Sequence, residues 1–286
     1  MRLVILFVLL CHFKEIKKLI FFSNHFLIAF SYFYFLFIDD MEMNSTKDYD
    51  FSIIVPIYNE KDNMVRLEKA LRSYLTISLL KTCVLMVNDG SQDGSLELIK
   101  KMCSRNPDFF YISSSKNHGL STAMKAGIDA IESKYIGYID SDLQTNPDDF
   151  NALLTYIGDY QLVSGIRANR KDSWFKNLQS KIANSFRRSM TGDTATDTGC
   201  PLKVMWTSYA KKLPFFNGMH RFLPALMLLV DGHFKETPVR HYSRVAGVSK
   251  YNLANRLIAP FVDCFAYRWM KKRFIRYEIV DCNIRL

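Results

Sequence analysis

From Phe51 onward, short apolar runs alternate with stretches of helical period. Phe51-Ser-Ile-Ile-Val-Pro56 is a β-branched run ending in proline and reads as a buried strand. Met64–Leu79 places Val65, Leu67, Leu71 and Leu75 at helical spacing, which predicts a helix. Cys83–Val87 is a second strand, Leu96–Met102 a helix and Phe109–Ser113 a third strand. Asn117-His118-Gly119 opens a helix through Ile131, with Leu120, Met124, Ile128 and Ile131 on one stripe. Tyr135–Ile139 is a fourth strand, Asp148–Tyr160 a helix and Gln161–Ile166 a fifth strand. Strand, loop and helix at near-constant spacing predict an α/β fold with a mostly parallel sheet flanked by helices.

After residue 166 the regularity fades. Trp174–Met190 reads as a basic amphipathic helix carrying Lys176, Lys181, Arg187 and Arg188. Phe216–Val230 is apolar, with His220-Arg221 near its start. Phe234–His241 reads as an edge strand, because Pro238 removes a ladder donor. Asn252–Tyr277 is a C-terminal amphipathic helix with Leu253, Leu257, Ile258, Phe261, Phe265 and Trp269 on one side and Lys271–Arg273 near its end. Its aromatic and basic faces suit a membrane interface.

Three polar loops follow strands: Tyr58–Glu60, Asn88–Ser95 and Asp140–Gln144. In a parallel sheet all three lie at the carboxyl edge, where ligands bind. Asp140-Ser-Asp142 sets two carboxylates outside one strand end, a donor set suited to Mg²⁺ or Mn²⁺ bridging a diphosphate. An Asp-rich surface turn is the bland alternative, and convergence of the three loops weighs against it.

The chain has 286 residues, 49% of them hydrophobic, and a formal net charge of +10. That charge suits acidic partners: nucleic acid, anionic membrane or phosphorylated small molecules. Nucleic acid is disfavoured, because the basic residues are not interleaved with aromatics in a nucleic-acid motif. The six cysteines lie far apart with no C-x-x-C pair, which predicts reduced thiols in a cytosolic compartment. Residues 1–48 form a hydrophobic segment in which Leu19–Ile38 is about the length of a transmembrane helix. It reads as an anchor or as sequence upstream of the true start at Met41 or Met43. Residues 49–250 form the main domain and 251–286 the interface helix.

Ile54-Val-Pro-Ile-Tyr-Asn-Glu60, Val87-Asn-Asp-Gly-Ser-Gln-Asp-Gly-Ser95, Asn117-His-Gly-Leu-Ser-Thr-Ala123 and Asp140-Ser-Asp142-Leu-Gln144 stand in one order and spacing. In these the chain resembles family 2 glycosyltransferases over about residues 51–250. The resemblance implies a GT-A, Rossmann-like fold that binds a nucleoside diphosphate sugar. Ser164-Gly-Ile-Arg167-Ala-Asn-Arg170, His220-Arg221-Phe222-Leu-Pro224 and Arg244-Val-Ala-Gly-Val-Ser-Lys250-Tyr251 are similar to the polyprenyl-phosphate branch, of dolichol-phosphate mannose synthase type. Asn88, where the family often has Asp, and Gly199-Cys-Pro-Leu-Lys203, in place of Gly-Phe-Arg, depart from that pattern.

The resemblance implies that Pro56, Tyr58, Glu60 and Asp89 line the nucleoside pocket, with Asp89 accepting from the base. Asp140 and Asp142 would hold the metal, supported by Gln144. Asp142, Arg167 and Arg221 are the candidate catalytic residues; Arg170, Arg244 and Lys250 are candidates for the acceptor phosphate. An undecaprenyl- or dolichyl-type phosphate arrives ionised and needs no general base. The expected setting is a membrane surface, with the catalytic domain facing the cytoplasm. A saccharide acceptor in envelope polysaccharide synthesis is the nearest rival; a non-catalytic nucleotide-binding membrane adaptor is a rival of another class. A processive synthase is disfavoured, since Arg268-Trp269 is preceded at 265 by Phe and not Gln. A nucleotidyltransferase would need a Gly-rich basic loop after the first strand.

Overall fold

The computed structural model describes residues 45–167, 174–242, 253–277 and 280–281. The N-terminal apolar runs and Arg170, Arg244 and Lys250 lie outside these residues. Seven strands form one sheet: β1 (Phe51–Ile57), β2 (Thr82–Asn88), β3 (Phe109–Ser113), β4 (Tyr135–Tyr138), β5 (Leu162–Arg167), β6 (Lys203–Trp206) and β7 (Phe234–Val239). Their order is β3-β2-β1-β4-β6-β5-β7. The β1–β2, β1–β4, β2–β3 and β5–β7 pairs are parallel. The loops after β1, β2 and β4 therefore share one edge, and the α/β expectation holds. β7 is the expected edge strand.

β6 has no counterpart among the expected elements. It runs antiparallel between β4 and β5. Four residues opening on a lysine give no strand period, yet Lys203 is buried there and its ammonium donates to the Cys200 carbonyl. Burial lowers the Lys203 pKa, opposed by nearby Cys200, Asp197 and Asp140.

The helices are α1 (Met64–Leu75), α2 (Ser95–Arg105), α3 (Leu120–Ala130), α4 (Phe150–Leu154), α5 (Trp174–Thr191), α6 (Thr207–Ala210), α7 (Leu223–Leu229) and α8 (Leu253–Arg273). They cover both sheet faces, so β1 and β2 are buried throughout and read as continuous apolar runs. Alternation still sorts their side chains. Phe51, Ile53, Val55, Val84 and Met86 pack with Leu67, Ile99 and Phe150. Ile54, Leu85 and Val87 pack with Met124, Ile128, Leu226 and Tyr267.

Three expectations need correction. α1 ends at Leu75, where the Thr76 hydroxyl bonds the Ser73 carbonyl at 2.7 Å. Its buried stripe is Met64, Leu67, Leu71 and Tyr74, while Val65 is 75% exposed, because it sits about 100° round the helix from Met64. The helix expected over Asp148–Tyr160 is a 3₁₀ turn followed by the five residues of α4, and the chain then turns before β5. Arg187 does not belong to a basic surface. It is buried, paired with Asp193, and donates to the Ala195 carbonyl at 2.6 Å.

α8 packs on α5 through Phe186–Phe261 stacking at 4.8 Å, and the Tyr267 hydroxyl donates to Ala225 of α7 at 2.9 Å. Cys264 and Tyr267 are buried, whereas Phe261, Phe265 and Trp269 are 50%, 51% and 61% exposed. Among the described residues no helix is long and apolar enough to cross a membrane. The four described cysteines, Cys83, Cys103, Cys200 and Cys264, are free thiols.

Candidate active site

The motif residues first hold one another. Asn59 donates its amide to Ser91 Oγ at 3.0 Å and accepts from the Gln92 amide at 2.8 Å. The Glu60 amide donates to Ser95 Oγ at 3.1 Å, and the Lys61 amide to Asp93 at 3.0 Å. Burial pushes the Asp93 carboxyl up, but hydrogen bonds from Ser95 and the Lys61 and Ser95 amides outweigh it and hold the group below its ordinary range. Loops β1–α1 and β2–α2 are thus laced together. Asp89 is 4% exposed and accepts from the His118 and Gly119 amides at 2.9 and 2.8 Å. It fastens the loop before α3 to the end of β2. Gly90 (φ 69°) passes so close to this loop that a Cβ would lie 2.3 Å from the Lys116 carbonyl carbon.

Asp140 and Asp142 leave the end of β4. Asp140 Oδ1 accepts from the Tyr138 hydroxyl at 2.8 Å, and Asp142 Oδ1 accepts from the Gln144 amide at 3.1 Å. Leu143 between them and Gln144 takes φ 55°, sparsely populated for a bulky residue. This bend turns the chain while the two carboxylates face one cavity of about 730 Å³. No group of three or more His, Cys, Asp or Glu side chains placed to hold a metal occurs among the described residues. Two hard oxygen donors fit an ion that takes its remaining ligands from a diphosphate and water.

The opposite wall comes from distant parts of the chain: Asn217, Gly218, His220 and Arg221 before α7, and Ala259 and Asp263 on α8. Ser121 at the start of α3 ties it down, accepting from the Gly218 amide at 3.0 Å and meeting His220 Nδ1 at 3.0 Å. Burial, helped by Arg221 and Lys203, lowers the His220 pKa to about 3, so its imidazole is neutral at neutral pH. Burial raises the Asp263 carboxyl, opposed by Arg221.

Of the residues singled out from the sequence, Pro56, Tyr58, Glu60, Asp89, Asp140, Asp142 and Arg221 line this one cavity. Gln144 joins the site through its backbone, its amide donating to Asp142 Oδ1, while its carbonyl accepts from the Tyr242 amide at 2.8 Å. Arg167 ends β5 outside the lining, in a two-pronged pair with Asp197 at 2.7 and 2.9 Å. Burial pushes the Asp197 carboxyl up, but these Arg167 bonds outweigh it and hold the group below the ordinary carboxylate range. Gly199–Lys203 leads into β6 and is not part of the lining. Ser121 belongs to the Asn117–Ala123 motif, whereas Asn217, Gly218, Ala259 and Asp263 line the cavity without having been singled out. For Asp263 the available sign was an Asp amid Phe and Trp on α8.

The profile of glycosyl transferase family 2 matches residues 52–214. The chain belongs to glycosyl transferase family 2. Dodecaprenyl-phosphate galacturonate synthase of Rhizobium johnstonii is 31% identical over 235 residues, 80% of this chain and 68% of that protein. Undecaprenyl-phosphate 4-deoxy-4-formamido-L-arabinose transferase of Edwardsiella ictaluri is 29% identical over 217 residues, 74% and 67% of the two chains. Glucosyl-3-phosphoglycerate synthase of Mycobacterium tuberculosis, solved with Mn²⁺, UDP-glucose and phosphoglyceric acid, superposes with a TM-score of 0.58 at 14% identity, covering 81% and 82%. That likeness shows the GT-A fold. Membership makes this chain a glycosyltransferase, and its match covers β1 to β6 with the Asp pair.

Proposed function

We propose that the chain transfers a sugar from a nucleoside diphosphate sugar to a polyprenyl phosphate at a membrane surface, with the catalytic domain on the cytoplasmic side. What carries the reading is the Asp140–Asp142 pair sharing one cavity with the laced nucleoside-side loops, in a chain about 30% identical to two polyprenyl-phosphate sugar transferases. Tyr58, Glu60 and Asp89 would take the nucleoside, and Asp140 and Asp142 would hold Mg²⁺ or Mn²⁺. When bound, that ion neutralises the diphosphate. Gln144 would keep Asp142 aimed by the amide bond described above.

In the reaction an ionised acceptor-phosphate oxygen attacks the anomeric carbon. The bond from that carbon to the diphosphate oxygen breaks, and the nucleoside diphosphate leaves with the electron pair. The nucleophile arrives deprotonated, so the chain has no proton to remove. Arg221 is the one cationic side chain among the described lining residues and would oppose the charge that develops on the donor diphosphate as it leaves. Arg170, Arg244 and Lys250 are proposed to steady the acceptor phosphate. Arg167, bound to Asp197, is assigned to holding the β5 end in place. The exposed Phe261, Phe265 and Trp269, with Lys271–Arg273 close by, are proposed to rest in an anionic membrane interface.

The test is incubation with labelled nucleotide-sugars and undecaprenyl phosphate, with and without EDTA. Labelled lipid should form with Mg²⁺ or Mn²⁺ and vanish with EDTA. Label appearing on a saccharide, and none on lipid, would sink the acceptor assignment.

A further inference from the structure

The wall facing the nucleoside loops carries a carboxylate that the reaction above leaves unused. Asp263 reaches from α8 over Gly218, where a Cβ would come within 2.6 Å of Asp263 Oδ2 and 3.7 Å of Arg221 Nη1. Gly218 also has φ 95°, so backbone and space alike keep this position open for the carboxylate. On its other side the Ser121 hydroxyl fixes Gly218 and His220. Neutral His220, its Nδ1 held by Ser121, keeps only Nε2 for a ligand, Arg221 offers only donors, and the Asp263 carboxylate offers only acceptors.

With the base at the β1 and β2 loops and the phosphates at the Asp pair, this is the wall left for the sugar. Adjacent donor-only and acceptor-only groups complement the hydroxyls of a sugar ring. A hexuronate would bring a second acceptor-only anion against Asp263 in a half-desolvated wall, where like charges repel strongly and neither oxygen finds a donor in the other. Arg221 does not cancel this, since Asp263 already stands beside it. An ammonium or a hydroxyl meets no such conflict.

We infer that Asp263, flanked by Arg221 and His220, is the specificity determinant for the donor sugar, accepting hydrogen bonds from a hexose or amino sugar and rejecting a uronic acid. This rests on the donor reading above and goes beyond it by naming the sugar class.

The test measures binding of UDP and GDP, then of matched pairs (UDP-glucose with UDP-glucuronate, GDP-mannose with GDP-mannuronate) to wild type and Asp263→Asn. Wild type should hold the hexose member about tenfold or more tightly than its hexuronate, as expected where a buried polar group would be left unpaired. Asp263→Asn should close that gap to within about threefold while the nucleoside diphosphate Kd stays unchanged, which also shows that the variant is folded. Wild-type preference for the hexuronate, or the same gap in the variant, overturns the inference alone. Failure of both UDP and GDP to bind wild type overturns the donor reading, and the inference with it.

Discussion

The sheet edge at β1, β2 and β4 and the wall built before α7 and on α8 reach the same cavity by different means. In the first, each loop is fastened to the next loop along the chain, about 30 residues on, as Asn59 is to Ser91 and Gln92, and Asp89 to the amides at 118 and 119. The second is assembled at long range: Ser121 meets Gly218 and His220 nearly a hundred residues away, and Asp263 arrives from the C-terminal helix. A motif whose loops brace one another keeps its shape with few contacts to the facing wall. A wall whose parts are brought together only by packing is the part free to differ between relatives.

If the motif edge carries the chemistry, Asp142→Ala should have the largest effect. Turnover should fall about a thousandfold, or about 4 kcal/mol of barrier, with no loss of fold by circular dichroism. Full activity in that variant would put the chemistry elsewhere. Outside the cavity lining, Arg187→Ala strands Asp193, which is 0% exposed at its side chain, and frees the Thr191–Ala195 loop. Urea unfolding should show a loss of about 3–5 kcal/mol, since a buried ion pair broken on one side leaves an uncompensated charge. A loss under about 1 kcal/mol would mean that water reaches Asp193 readily.

Asp89→Asn sharpens the contrast further. It keeps one acceptor for the two amides and sets a donor against the other, at a cost of about 1–3 kcal/mol. The nucleotide KM should rise while the preference between sugars stays as in wild type. A changed sugar preference would show the two sides to be coupled.

The last test concerns pH. His220 has its pKa lowered from 6.5 to about 3 on folding, so between those values the unfolded chain binds the extra proton. Its contribution to stability is complete above about pH 6.5 and is lost as pH falls from there toward 3. The difference in urea midpoint between wild type and His220→Gln should therefore shift across this window. A constant difference would mean that His220 takes up its proton as readily in the folded chain as in the unfolded one.

Much of the motif edge was legible in the chain because its cause is local. An apolar run such as Phe51–Pro56, a glycine such as Gly90 and a carboxylate pair after a strand state their roles within a few residues. The basic residues were less legible. Arg187 read as part of a basic helix face and Arg167 as a candidate catalytic residue, and only the return of Asp193 and Asp197 showed their ion pairs. Val65 read as core for a similar reason, since helical spacing admits two neighbouring stripes and only packing against β1 and β2 selects one.

The alternation of strands and helices, the shared edge of the polar loops and the presence of the Asp pair all follow from side-chain period and turn chemistry, which act over a few residues. The insertion of β6 against the sheet direction, the burial of Lys203 within it and the approach of Asp263 to Arg221 do not. Each depends on contacts between segments far apart in the chain, whose free energy exists only once the two sheet faces have closed over their cores.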